Sequence, residues 1–226
     1  MRKLFMTLSV LILAFCASSQ QLSQVTFSGG SNLSYISFLT DQGVLIRISP
    51  DGKILEWGTE LVSERSNNYY APKLQPFLGR MEYYDQLSDS SFKGKIKNIG
   101  TCTITYYGSY ESEGRPGKIR SIGTAIFDYY NNFDDKLFRG KIKFAGNLEL
   151  DYYSSFEDEM FRGKLKAIGN TPITYYSSFD DKAYKGKIKS IGSVPYLWYS
   201  SFDINRSGLK SGLYRQNVGA ITYILN

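Results

Sequence analysis

Pairs of neighbouring acidic residues are the first groups in this sequence that could do chemistry. They occur at Asp134-Asp135, Glu157-Asp158 and Asp180-Asp181. Calcium takes roughly six to eight oxygen ligands, usually several from one loop, whereas each pair supplies two carboxylates. Glycoside hydrolysis needs two carboxylates in one cleft with different environments, and no pair is singled out in that way. We therefore expect solvated turn charges rather than a metal site or an acid-base pair.

The supply of other reactive side chains is small. Histidine is absent from the 226 residues and only two cysteines are present. These counts exclude a Ser-His-Asp triad, a Cys-His pair, a His-ligated metal and a four-thiolate metal site. Cys102 is expected in a turn, and without a histidine base it is a poor candidate for a nucleophile. We predict no catalytic residue, no metal, no cofactor and no enzymatic activity.

Aromatic and cationic residues that recur together are the candidate binding residues. The aromatic column consists of Tyr106, Tyr129, Tyr152, Tyr175 and Trp198. The cationic column consists of Lys97, Arg120, Lys143, Lys166 and Lys189. A flat ring offers a large contact area at low entropy cost, which suits a glycan or protein ligand. We expect the Tyr106 column to be exposed and the adjacent Tyr107 column to pack within the sheet.

A period of 23 residues places these columns. Segments similar to Gly-Lys-Ile-Lys recur at that step, beginning at Gly94, Gly117, Gly140, Gly163 and Gly186. A further aromatic column recurs with the same step, at Tyr110, Phe133, Phe156, Phe179 and Phe202. Each unit holds two short runs rich in Tyr, Ile and Thr with a glycine between them, which predicts two strands joined by a tight turn. Residues 94–208 lack a helical apolar stripe, so we predict an all-β fold of tandem 23-residue β-hairpin repeats.

An extended antiparallel meander is the favoured arrangement of these hairpins. The lysines of successive units would lie about 4.8 Å apart in a parallel solenoid and about 10 Å apart in a meander. Repulsion between like charges therefore favours the meander. A β-propeller or a closed barrel of paired repeats is the alternative. We expect Ile99 opposite Ile104 and Lys97 opposite Tyr106, in a sheet that lacks a thick core.

The opening of each unit is similar to that of MORN repeats, which are hairpins of the same length. The matching tripeptides are Phe92-Lys-Gly94, Phe138-Arg-Gly140, Phe161-Arg-Gly163 and Tyr184-Lys-Gly186. The Gly-x-Gly in the middle of a MORN unit is missing here, and the pair of tyrosines is additional. The resemblance covers about residues 94–208 and implies tandem hairpins, with no particular function.

The N-terminal residues predict an exported protein. Arg2 and Lys3 precede an apolar run over residues 4–15, about half the length that spans a bilayer, and small residues follow it. We interpret residues 1–19 as a cleaved signal peptide, after which no transmembrane segment remains. Lipid attachment at Cys16 is the minor alternative. The expected location is the periplasm, the cell envelope or the extracellular space, which disfavours nucleic acid as a partner of the Tyr/Lys columns.

The rest of the chain divides into three regions in this interpretation. Residues 20–70 form an N-terminal β-hairpin region or cap, because Ser49-Pro50-Asp51-Gly52 is a strong turn signal between two apolar runs. Residues 71–208 hold the tandem repeats, and residues 209–226 form a C-terminal capping strand.

The expected function is that of an exported, non-enzymatic binding or scaffold module that uses a repetitive Tyr/Lys face. The first alternative is a structural envelope or matrix protein that self-associates through open sheet edges. The second alternative is an enzyme of unknown type.

Overall fold

A computed structural model describes residues 20–61, 73–112 and 114–226, and these residues form an all-β fold without a helix. It follows that no described segment is a helix of the length and apolarity needed to cross a membrane. The predicted signal peptide and Cys16 lie outside the described residues. In chain order the strands are β1 (Gln21–Ser28), β2 (Asn32–Leu39), β3 (Leu45–Ile48), β4 (Ile54–Gly58), β5 (Met81–Tyr83), β6 (Ile96–Ile99), β7 (Cys102–Tyr106), β8 (Ile119–Ile122), β9 (Ala125–Tyr129), β10 (Ile142–Ala145), β11 (Leu148–Tyr152), β12 (Leu165–Ile168), β13 (Thr171–Tyr175), β14 (Ile188–Ile191), β15 (Val194–Pro195), β16 (Leu197–Trp198), β17 (Leu209–Ser211), β18 (Arg215–Val218) and β19 (Ile221–Leu225).

The largest sheet is an open meander. Strands β5 to β15 follow one another in sequence order as an 11-stranded sheet. Each strand is antiparallel to the next, as between β8 and β9 and between β9 and β10. The antiparallel arrangement predicted from charge repulsion and short connections is therefore confirmed. The alternative of a closed barrel or propeller is wrong for the described residues, because β5 and β15 are free edges of this sheet.

The hairpin turn is shorter than predicted. Ile99 lies opposite Cys102, so Gly100 and Thr101 alone form the turn. The expected pairing of Ile99 with Ile104 is wrong by two positions. Gly100 has a φ of 57°, in the left-handed region that two-residue hairpin turns require. Cys102 is consequently the first residue of β7 and not part of a turn.

The predicted pairing of Lys97 with Tyr106 is wrong for the same reason, because the two-residue turn moves the β6–β7 register by two positions. Each unit also contains a β-bulge, which lies on the ladder to the preceding hairpin. Between β7 and β8, Thr105 pairs with Ser121 and Tyr106 pairs with Ile119, so Arg120 is left without a partner across the ladder. The equivalent bulges leave out Lys97, Lys143, Lys166 and Lys189. The extra residue bends the strand. Ile119 and Ile122, three positions apart, are therefore both buried while Arg120 is exposed.

A second sheet covers the meander and supplies the core. This six-stranded sheet has the order β18-β19-β1-β2-β3-β4. Its fully buried side chains belong to one hydrophobic cluster with those of the meander, and the rings of Phe38 and Phe127 lie 4.9 Å apart. The expectation of a sheet without a thick core is wrong, because strands from both ends of the described chain form a second layer.

The two regions interpreted as caps meet in that layer. β1 and β19 are parallel neighbours, with Val25 opposite Tyr223. Both strands are rich in apolar residues that the meander buries. The N-terminal region and the C-terminal strand thus lie across the array side by side.

Two turns of the six-stranded sheet anchor it on the meander. The carbonyl of Pro50 accepts a hydrogen bond from the Ile142 amide at 2.8 Å, and the carbonyl of Gly30 accepts one from the Ile188 amide at 2.9 Å. The contact is close, because a Cβ on Gly52 would lie 2.2 Å from the Tyr129 hydroxyl. The β1–β2 turn and the β3–β4 turn therefore meet the meander at fixed units.

Candidate functional site

A row of aromatic side chains stands out of the loops that follow the second strand of each unit. We call it the tip row, and it consists of Tyr110, Phe133, Phe156, Phe179 and Phe202. These side chains are between 87% and 100% exposed. Two strands separate neighbouring members, which corresponds to a spacing of about 10 Å. Exposed aromatic residues arranged in a row are a signal of a contact surface, since single exposed apolar residues are ordinary.

Hydrogen bonds within each loop fix the position of the tip. The Asp180 amide donates to the Ser177 carbonyl at 3.2 Å, which closes a four-residue turn with Phe179 in its third position. The Asp180 carboxylate accepts from the Ser177 amide at 2.6 Å and from its hydroxyl at 2.9 Å. Ser200 and Asp203 repeat this arrangement below Phe202. The aromatic side chain takes part in none of these hydrogen bonds, so the conformation of the loop does not depend on it.

A carboxylate of one unit also holds the loop of the next unit. Asp158 accepts hydrogen bonds from the Ser178 amide at 3.0 Å and hydroxyl at 2.8 Å, and from the Met160 amide at 2.8 Å. Corresponding bonds join Asp89 to Ser109, Asp135 to Ser155, and Asp181 to Ser201. The amides of Ser178 and Met160 hold the pKa of Asp158 below its ordinary value. The acidic pairs thus order the loops that carry the tip row.

The aromatic column predicted to be exposed is buried. Tyr106, Tyr129, Tyr152, Tyr175 and Trp198 are at most 9% exposed. The Tyr129 hydroxyl donates to the Ile119 carbonyl at 2.8 Å, and the Trp198 indole donates to the Ile188 carbonyl at 2.7 Å. The prediction of exposure fails because the bulge and the second sheet place this column in the core.

The adjacent tyrosines are anchored between units. Tyr107 is buried, as predicted, and its hydroxyl donates to the Phe127 carbonyl at 2.8 Å. The Tyr153 hydroxyl makes the same bond to Ile173, at 3.0 Å. Each ring therefore ties its own unit to the one that follows.

The predicted cationic column covers those tyrosines. Lys97, Arg120, Lys143, Lys166 and Lys189 lie 5.4–5.9 Å from the ring centres of Tyr84, Tyr107, Tyr130, Tyr153 and Tyr176. All five are bulge residues, and only Lys143 is half-buried. These cations therefore make cation–π contacts with the Tyr84–Tyr176 column and not with the Tyr106 column, in which Tyr106 was predicted to lie opposite Lys97.

A second set of lysines covers the buried column. Lys95, Lys118, Lys141, Lys164 and Lys187 lie 4.8–5.3 Å from the ring centres of Tyr106, Tyr129, Tyr152, Tyr175 and Trp198. The Lys141 ammonium donates to the Gly163 carbonyl of the following unit at 2.8 Å. Burial, followed by the charge of Lys187, lowers the pKa of Lys164 to about 8. These lysines serve the fold, since carbonyl and ring contacts occupy them.

Cysteine and metal chemistry find no support in the geometry of the described residues. Cys102 is 2% exposed. Burial, helped by the charge of Asp41, raises the pKa of its thiol to about 11, which disfavours the reactive thiolate. The described ranges contain no group of three or more acidic or cysteine side chains that could hold a metal ion.

The sequence contained a signal for the tip row that its interpretation missed. The predicted binding residues were those of the Tyr106 column and the cationic column, whereas Tyr110 lies in the loop beyond β7, which ends at Tyr106. Each ring follows Ser or Asn and precedes an acidic residue, which is typical of a turn rather than of a strand.

Comparison with other proteins gives no family. The chain matches no family model, and no curated protein or solved structure is significantly similar to it. The resemblance to MORN repeats therefore depends on the repeat length and one tripeptide alone, and the function has to be inferred from the site.

Proposed function

We propose that the protein is a non-enzymatic binding module that holds an extended partner along the tip row. The observation that carries this proposal is the nearly complete exposure of five aromatic side chains on loops that are themselves well ordered by hydrogen bonds. Exposed apolar area costs solubility, and no ring of the row is needed to close its turn. A contact with a partner explains why the tip row is present.

An extended glycan is the partner that fits best. Rings about 10 Å apart on a stiff sheet suit a linear polymer whose own chemical repeat matches that spacing. A serine or asparagine precedes each ring and an acidic residue follows it, and these polar groups can complement sugar hydroxyls, while the flat ring offers area at low entropy cost. Several weak contacts along one polymer reinforce one another, because each bound ring raises the local concentration of the next subsite.

The proposal also includes the repeat architecture and the location of the protein in the cell. The chain is a tandem array of 23-residue hairpin units over residues 71–208, carried by a protein exported to the periplasm, the envelope or the extracellular space. The strands that open the units at Ile96, Ile119, Ile142, Leu165 and Ile188 follow one another at that step, which supports the array.

Self-association is the second candidate, because the tip row could also contact a second copy. Assembly through sheet edges is disfavoured on the meander: β5 has three residues, and β15 has two, one of them Pro195. If the protein assembles with itself through the meander, the tip row is therefore the surface that does so.

Depletion of the protein by insoluble cellulose, chitin and peptidoglycan tests the proposal. The triple variant Phe133→Ala, Phe156→Ala, Phe179→Ala should lose at least tenfold in affinity for the polymer that binds. Ile126→Ala is the control, since Ile126 is an exposed apolar residue of the meander outside the tip row. Equal binding by the triple variant, or binding to none of the polymers, would contradict the proposal. A wild-type oligomer that becomes a monomer in the triple variant would show self-association instead.

A further inference from the structure

A cleft lies beside the β3–β4 turn, on the side of the first units of the meander. The Gly52 carbonyl of this turn accepts a hydrogen bond from the Ile119 amide at 3.3 Å, so the turn forms a fixed wall. The cleft has a volume of about 640 Å³, which is in the range of small-molecule sites. No member of the tip row lines it.

The rim of the cleft is cationic. Lys53, Lys95, Lys118 and Arg139 line it together with one acidic residue, Asp51. That carboxylate already forms an ion pair with Lys53, at 2.8 Å. Lys95 and Lys118 also donate to the carbonyls of Gly117 and Gly140, so the exposed Lys53 and Arg139 are the rim cations that an incoming anion reaches first. Burial and the charge of Lys53 lower the pKa of Lys95, and an anion beside Lys53 would offset that charge.

The floor of the cleft is apolar. Ile54, Trp57, Ile96 and Tyr106 line it, and among the described residues around the cleft none is Ser, Thr, Asn or Gln. The charged side chains of the cleft are thus four cations against one carboxylate, a balance that favours an anion over a neutral sugar. The lining is instead complementary to a molecule with an apolar body and a negatively charged head.

We propose that this cleft binds an amphipathic organic anion, with an acyl or aryl body on the Trp57 side and its head among the cations. A carboxylate and a phosphate monoester both carry the required negative charge. A free carboxylic acid would supply the first head group, and a lipid-derived phosphate would supply the second. The site is independent of the tip row.

Titration of the full chain with octanoate, octyl phosphate and octanol tests the site, with calorimetry and tryptophan fluorescence as readouts. At least one of the two anions should bind with one-to-one stoichiometry and at least tenfold more tightly than octanol. The tighter anion identifies the head group. Trp57 should report the binding, because the other tryptophan, Trp198, is buried elsewhere. Equal affinity for octanol and both anions would overturn the proposal.

Matched variants locate the binding. The double variant Lys53→Gln, Arg139→Gln removes two exposed cations of the rim and should weaken the anion at least tenfold. Arg162→Gln, Lys185→Gln is the control, because both residues occupy the position of Arg139 in later units and lie outside the cleft. The triple tip-row variant should bind octanoate or octyl phosphate as the wild type does, which separates this site from the proposed glycan surface. Unchanged binding in the rim variant, or loss in the tip-row variant, would overturn the inference.

Discussion

Aromatic residues only a few positions apart in one unit have opposite roles. Tyr152 is 4% exposed and stacks on Phe138 at a centroid distance of 5.9 Å, whereas Phe156 is 97% exposed. Burial of a large aromatic side chain is a main source of stability, and an exposed ring contributes almost nothing to it. Stability and binding are therefore assigned to different members of the same motif.

The pair Tyr152→Ala and Phe156→Ala tests this assignment. Truncating a buried aromatic residue costs about 3–5 kcal/mol of unfolding free energy, while an exposed substitution changes it by less than about 0.5 kcal/mol. Urea denaturation of both variants measures the difference. A loss of similar size in the two variants would show that the loop ring contributes to folding after all.

Lys164 gives the protein a pH-dependent stability. The pKa of its ammonium falls from 10.5 to about 8 on folding. Between these values the unfolded chain binds the proton and the folded chain does not, so the unfolding free energy rises with pH across this window. Lys164→Met removes the group but keeps its apolar stem. The wild type should gain stability relative to this variant between about pH 8 and pH 10 in denaturant titrations, and parallel profiles would contradict the assignment.

At the level of single residues, the sequence predicted which residues form columns, but it did not predict which column is exposed. The 23-residue spacing identified every member of the tip row and of both tyrosine columns. Which column is buried depends on a layer that comes from residues 20–61 and 215–225, and no local pattern within a unit contains that information.

At the scale of the strand, the β-bulge determines which residues face the core. A Lys-Ile-Lys segment suggests strict alternation between two faces, and the bulge interrupts that alternation at Lys97. Inserting Lys97 as an extra residue lets Ile96 and Ile99 face the core together. Bulges have no reliable signature in a single sequence, so this part of the register could not be predicted. The hairpins themselves could be, because the glycine turns and the β-branched residues mark them.

The two sheets act as one body at the scale of the whole molecule. The β3–β4 turn bonds to Ile142 and the β1–β2 turn bonds to Ile188, so the covering sheet spans a fixed number of units. A repeat array without such a cover would depend only on contacts between neighbours and would tolerate the loss of one unit. Here the covering sheet constrains the number of units between Ile142 and Ile188, because each of its two turns is bonded to one of these residues.

Deleting residues 140–162 should therefore destabilise the protein strongly. The deletion removes one whole unit together with Ile142, so the equivalent position nearest to Ile188 is Leu165, one unit closer, while the covering sheet keeps its span. We expect loss of the cooperative unfolding transition or a fall of many degrees in melting temperature, measured by circular dichroism. A well-folded shorter protein would show that the cover does not constrain the array.

Parallel pairing of β1 with β19 also decides when the molecule can finish folding. The ribosome synthesises β1 first and β19 only after the entire meander. One edge of β1 therefore lacks its partner strand until Val25 can pair with Tyr223. Such widely separated partners slow the search for the native topology. In the interval the covering sheet lacks β18 and β19, and a nascent chain stalled before residue 221 should be prone to aggregation or should bind chaperones.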